Sequence, residues 1–135
     1  MRVLVVDDSA THRLLLASAL RDRPETREVE TAASGEEALR RLVATTFDLV
    51  CLDIEMPGMD GFAVLRWIMA RRPIPVLVVS DRRHDRTALT ALELGAFEVL
   101  GKPSPRAGSL VDWKKQLADI VREVSSIRVD LLAER

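Results

Sequence analysis

The chain has 135 residues, 47% of them hydrophobic, with a formal net charge of −1 and a single cysteine. That length and apolar content suit one folded domain and exclude intrinsic disorder; the charge balance excludes a sequence-independent grip on nucleic acid or an anionic membrane. Cys51 has no partner for an intramolecular disulfide, and its apolar surroundings predict a core position. The N-terminal run Val3-Leu4-Val5-Val6 meets Asp7-Asp8 before it can form a signal-peptide core, and no uncharged stretch is long enough to span a bilayer. A cytoplasmic location is expected.

In chain order, short runs of Val, Leu and Ile alternate with amphipathic stretches, which predicts strands buried on both faces of a parallel sheet with helices as crossovers. The strands are read at Arg2 to Val6, Glu28 to Ala32, Phe47 to Leu52, Pro75 to Ser80 and Phe97 to Leu100. The first helix runs from Ser9 to Arg21, and the second opens on the capping box Ser34-Gly35-Glu36-Glu37. A third follows the turn Met56-Pro57-Gly58-Met59-Asp60-Gly61, a fourth spans His84 to Leu94, and a fifth starts on a second capping box, Ser109 to Asp112. Five α/β units are too few for an eight-stranded barrel of about 250 residues, so the expected fold is a flavodoxin-like, doubly wound (βα)₅ sheet of order 2-1-3-4-5. Residues 1–108 supply the core and 109–135 the last helix. Its stripe of Leu110, Trp113, Leu117, Ile120, Val124, Ile127 and Leu131 has heptad spacing. A helix of that length, about 33 Å, outruns a five-residue strand of about 17 Å, so Val124, Ile127 and Leu131 are expected to overhang and to dock an effector or pair with a second copy.

Ligand sites of such sheets lie beyond the carboxyl ends of the strands. Those ends carry Asp7-Asp8, Asp53, Ser80 and Lys102. Neighbouring strands about 4.8 Å apart bring Asp8 and Asp53 close, where two carboxylates repel by about 4 kcal/mol at an effective dielectric near 20. A hard divalent cation, Mg²⁺ or Mn²⁺, suits that oxygen cluster. An ammonium, a metal and the Ser80 hydroxyl around one carboxylate suit phosphoryl transfer onto Asp53. Taken singly, Asp8-Ser9 and Asp60 read as helix caps, His12 and His84 as solvated, and Trp67 and Trp113 as packing residues.

The runs Val5 to Ser9, Leu52 to Gly61 and Pro75 to Ser80, with Gly95-Ala96 and Lys102-Pro103, resemble the receiver domain of two-component response regulators. Asp53-Ile54-Glu55-Met56-Pro57 and Lys102-Pro103-Ser104 are most similar to the regulatory domain of the chemotaxis methylesterase. The resemblance implies that Asp53 accepts a phosphoryl group from a histidine kinase. Asp8 then ligates Mg²⁺ directly, Asp7 through water, and Glu55 through its backbone carbonyl. It further implies that Lys102 contacts the phosphoryl oxygens and that Ser80 moves toward them, biasing a face made by helix 4, strand 5 and helix 5 toward a downstream partner.

Two positions depart from the family pattern. Val99 stands where an aromatic switch is usual, and Asp81 follows Ser80 where a small residue is usual. Glu55 and Arg82 are expected to bridge above the site and, with Asp81, to modulate the phosphoryl lifetime. No Gly-x-Ser-x-Gly elbow is present, so the chain reads as a regulatory fragment or free-standing relative and not as an enzyme. The competing reading is a Mg²⁺-dependent phosphohydrolase with an aspartate nucleophile; Glu55 stands where such enzymes carry a second aspartate.

Overall fold

The computed structural model describes residues 1–81, 86–103 and 107–133, with the side chains of 107 and 129–133 left out of the description. The strands are β1 (Arg2–Val6), β2 (Glu28–Ala32), β3 (Leu49–Leu52), β4 (Val76–Ser80) and β5 (Glu98–Gly101). The helices are α1 (Ala10–Arg21), α2 (Gly35–Ala44), α3 (Gly61–Arg71), α4 (Arg86–Glu93) and α5 (Ala107–Ala133). All neighbouring strands are parallel and the order is β2-β1-β3-β4-β5, as the sequence predicts.

Alternation along the strands divides the core in two. Leu4, Val6, Val50, Leu52, Val76 and Val78 face Ala38, Leu42, Val64, Leu65, Ile68 and Ala91 of α2, α3 and α4. Val3, Val5, Leu49, Cys51, Leu77 and Val79 face Leu16, Leu20, Trp113, Leu117 and Val121 of α1 and α5. With apolar residues on both faces, a one-residue slip of a central strand exchanges one core for the other, so both partner surfaces constrain the register. Cys51 lies in the second core, where burial pushes its thiol up to about 12.

The expected caps are present at three helices. Ser9 accepts from the His12 N–H, Ser34 from Glu37, and Asp60 from Ala63. Glu37 also reaches back to the Ala33 N–H at 3.0 Å. The fifth helix differs from expectation: it begins at Ala107, so Ser109 is an exposed residue of its first turn and not its cap. β3 begins at Leu49 because Asp48 turns its carboxylate onto the Arg2 backbone N–H at 2.7 Å.

Val124 does not overhang. It is 1% exposed and packs with Val3, Leu49 and Val121, while Arg128, one turn further on, reaches Asp48 at 3.0 Å. The loops at the amino end of the sheet extend the body beyond the strands themselves, so the stripe is used by the core as far as Val124. Ile127, 41% exposed, is the first apolar residue past it. Among the described residues, no helix is long and apolar enough to cross a membrane.

Candidate functional site

β1 and β3 are paired so that Val6 lies beside Leu52, which puts Asp7 beside Asp53 at the first position past each strand. The ladder continues there, with the Asp53 N–H donating to the Val6 carbonyl at 2.9 Å and the Asp7 N–H to that of Ala32 at 3.1 Å. Asp7 and Asp53 are buried, and Asp8, one residue further, is exposed. The neighbour of Asp53 along the ladder is therefore Asp7. Asp8 also comes close to Asp53, as expected, for carboxylate oxygens of Asp7, Asp8 and Asp53 lie within 4.8 Å of one another.

Lys102, one residue past β5, points its ammonium into this group. Its side chain is 8% exposed, and Nζ lies 3.2 Å from Asp53 Oδ2 and 3.8 Å from Asp7 Oδ2. The chain between β5 and this lysine is held from α5, where the Trp113 indole N–H donates to the Gly101 carbonyl at 2.8 Å. Trp113 is thus a packing residue with a satisfied polar handle. Trp67 packs half-buried against the other core.

Burial is the first cause that pushes the Asp53 carboxyl up to about 7; the Asp7 charge adds to it, while the Glu55 N–H and Lys102 oppose it. Burial also works against the charged form of Lys102. There the Asp53 and Asp7 charges prevail, with the exposed Asp81 adding a smaller part, and hold the ammonium above its ordinary value. Three carboxylates against one ammonium leave surplus negative charge, and hard oxygen donors with one exposed member fit a divalent cation.

The remaining predicted residues fall as follows. Asp53 Oδ1 accepts the Glu55 backbone N–H at 3.0 Å, which closes the turn after β3. α3 starts close to that turn: a Cβ on Gly61 would sit 2.3 Å from the Ile54 Cα and 2.4 Å from the Asp53 carbonyl oxygen, so only glycine fits. Gly58, with φ +77, makes the turn between them. Ser80 is fully buried at the end of β4, and its Oγ donates to Glu55 Oε1 at 2.5 Å. The expected bridge from Glu55 to Arg82 falls on a residue that, like His84, lies outside the described residues; what the structure shows at Glu55 is the bond from Ser80. His12 is not simply solvated, since its Nδ1 is buried without a hydrogen-bond partner among the described residues. Val99 is half-buried against the α2, α3 and α4 side of the sheet.

Sequence reasoning missed Arg13, whose guanidinium donates to the Asp7 carbonyl at 2.8 Å and so steadies the acidic turn from α1. Its position one turn into α1 is the only signal, and an exposed helix arginine gives the same one.

A buried aspartate, an acidic cluster and an inward lysine at the carboxyl end of a five-stranded parallel sheet define a class. Residues 3–112 match the response regulator receiver domain family, and the chain belongs to it. More particularly, it is similar to the response regulator domain of Thermotoga maritima CheB, with 30% identity and a TM-score of 0.82 over 93% of this chain and 96% of that one. It is 40% identical over 127 residues to protein-glutamate methylesterase/protein-glutamine glutaminase 1 of Myxococcus xanthus, covering 93% of this chain and 37% of that protein. The corresponding protein of the group 3 operon of Bradyrhizobium diazoefficiens is 39% identical over 138 residues, covering 100% of this chain and 38% of that protein. The chain spans a little over a third of the length of these curated relatives. The family and the sheet order expected from sequence are borne out, and nothing in these likenesses favours the phosphohydrolase.

Proposed function

We propose that this chain is the phosphoacceptor unit of a cytoplasmic, chemotaxis-type response regulator, modified on Asp53 by a histidine kinase, and that it serves regulation and not turnover of a substrate. The observation that carries the reading is the Asp53 carboxylate itself: buried, 3.2 Å from Lys102, and grouped with Asp7 and Asp8 within 4.8 Å. Asp8, Asp53 and the Glu55 backbone carbonyl are the residues that would hold Mg²⁺, with Asp7 acting through water. Once bound, such an ion neutralises charge on the phosphoryl oxygens and favours the ionised nucleophile.

The transfer forms a P–O bond to an Asp53 carboxylate oxygen as the P–N bond of a phosphohistidine breaks, and the imidazole leaves with the bonding pair. Lys102 neutralises charge on the incoming oxygens from a fixed position, because Gly101 before it is tied to Trp113 and Pro103 after it is buried. Ser80 offers its hydroxyl to a phosphoryl oxygen, which would draw the end of β4 toward β3. The surface that reads this change is α4, β5 and α5, where Leu89 and Leu92 of α4 are exposed. With Val99 in place of an aromatic side chain, the change is carried by backbone position and not by a ring rotamer.

Incubation with a small phosphoryl donor and Mg²⁺, followed by intact mass measurement, tests the reading. Wild type gains one phosphoryl group and Asp53→Asn gains none; modification of any other residue, or none in wild type, would overturn it.

A further inference from the structure

The contact between Ser80 and Glu55 joins two residues that phosphorylation treats in opposite ways. The Ser80 hydroxyl is buried at the end of β4 and donates to the Glu55 carboxylate at 2.5 Å, across 25 positions of sequence. Glu55 is held in turn, since its own backbone N–H donates to Asp53 Oδ1. A serine hydroxyl carries one proton and can donate to one acceptor at a time. On the phosphoacceptor reading, on which this inference rests, a phosphoryl oxygen on Asp53 needs that same proton.

We propose that Glu55 is a positioning residue that latches Ser80 in the resting arrangement, so that the phosphoryl group must take the Ser80 hydroxyl away from a carboxylate before the β4 end can move. A hydrogen bond to a charged acceptor is among the stronger ones in a protein, and releasing it sets a threshold that the phosphoryl contact has to exceed. The latch thereby fixes the ratio of resting to active forms at a given level of modification. The Glu55 carboxylate bonds to Ser80, whereas the Lys102 ammonium is taken by Asp53 and Asp7; Glu55 acts through Ser80. A different account needs no latch: the Glu55 carboxylate simply repels an incoming anion. The two accounts separate on whether the effect of Glu55 depends on Ser80, and on whether a neutral acceptor replaces it.

The probe is beryllofluoride with Mg²⁺, a phosphoryl mimic titrated against the whole chain, with binding followed by tryptophan fluorescence and by NMR of the Ser80 amide. Glu55→Ala is expected to bind it on the order of tenfold more tightly than wild type, the factor that corresponds to about 1.4 kcal/mol. Glu55→Gln retains an acceptor for the hydroxyl and is expected to lie nearer wild type than Glu55→Ala. In a Ser80→Ala background, Glu55→Ala is expected to change the affinity by less than about twofold, as a double-mutant cycle requires for a pair that acts only through its mutual bond. Equal effects of Glu55→Ala with and without Ser80, Glu55→Gln matching Glu55→Ala, or no effect of Glu55→Ala would each overturn the latch. Should Ser80→Ala not fold, the comparison of Gln with Ala at position 55 decides alone. Failure of wild type to bind the mimic at Asp53 removes the phosphoacceptor reading and the latch with it, whereas binding with additive effects removes the latch only.

Discussion

The two ends of the parallel sheet use the same residue type in opposite ways. At the amino end the Asp48 carboxylate accepts from the Arg2 backbone N–H at 2.7 Å and from the Arg128 guanidinium at 3.0 Å, and Glu28 pairs with the Arg2 side chain at 2.8 Å. At the carboxyl end three carboxylates lie within 4.8 Å of one another, and among the described residues one ammonium, that of Lys102, faces two of them. Charge is matched at the first end and left in excess at the second. Removing a carboxylate should therefore weaken the fold at one end and strengthen it at the other.

The largest expected effect comes from deepening the imbalance. Lys102→Ala leaves Asp7 and Asp53 buried without their cation, and a loss of about 3 kcal/mol is expected in urea denaturation at pH 8 without divalent ions, in line with breaking a buried pair by removing one partner. A loss below about 1 kcal/mol would mean that solvent, not Lys102, offsets the cluster.

Supplying the cation is the next test. At a Mg²⁺ concentration of about a hundred times its dissociation constant, stability should rise by about 2.7 kcal/mol. Asp8→Ala should abolish that rise and Asp48→Ala should leave it intact. A rise that survives Asp8→Ala would place the ion elsewhere.

Asp53→Asn should reverse the usual sign of a core substitution and stabilise the metal-free chain by about 2 kcal/mol at pH 8, a figure already reduced for solvent screening of the site. The folded chain keeps the Asp53 proton up to about pH 7, while the unfolded chain releases it near 3.8. Folded protein thus holds more protons across that interval, and the Asp53 contribution makes stability fall as pH rises from about 4 to 7. Thermal melts across this range should show that fall in wild type and a flatter profile in Asp53→Asn; parallel profiles would sink the account.

The smallest effects belong to the matched end. Asp48→Ala should destabilise by about 1 to 2 kcal/mol through the unpaired Arg2 N–H, and Arg128→Ala by about 0.5 kcal/mol because that pair is exposed. Stabilisation by Asp48→Ala would erase the contrast between the ends.

The order of strands and the acidic cluster were legible because parallel strands buried on both faces read as unbroken apolar runs, and because Asp7, Asp8, Asp53 and Lys102 follow those runs directly. The pairing of Ser80 with Glu55 was not legible. It depends on β3 and β4 lying in the register that pairs Leu52 with Val78, and on a turn bending Glu55 back over Asp53. Val124 was misjudged for a geometric reason: strand length understates the thickness of the body, to which Met1, outside the strands and packed against the same core as Val124, also contributes. Ser109 resembled a cap because Pro103 to Gly108 has the composition of a loop, yet α5 starts within it.

The glycine that opens α3 has a mechanical consequence. With the start of α3 resting against Ile54 and the Asp53 carbonyl, the turn after Asp53 has helix backbone directly against one side. On the proposed phosphoacceptor reading, a phosphoryl group on Asp53 would find no room to push the turn toward α3 and would act across the sheet instead, toward the end of β4, so that a residue with no side chain would set the direction in which the signal travels.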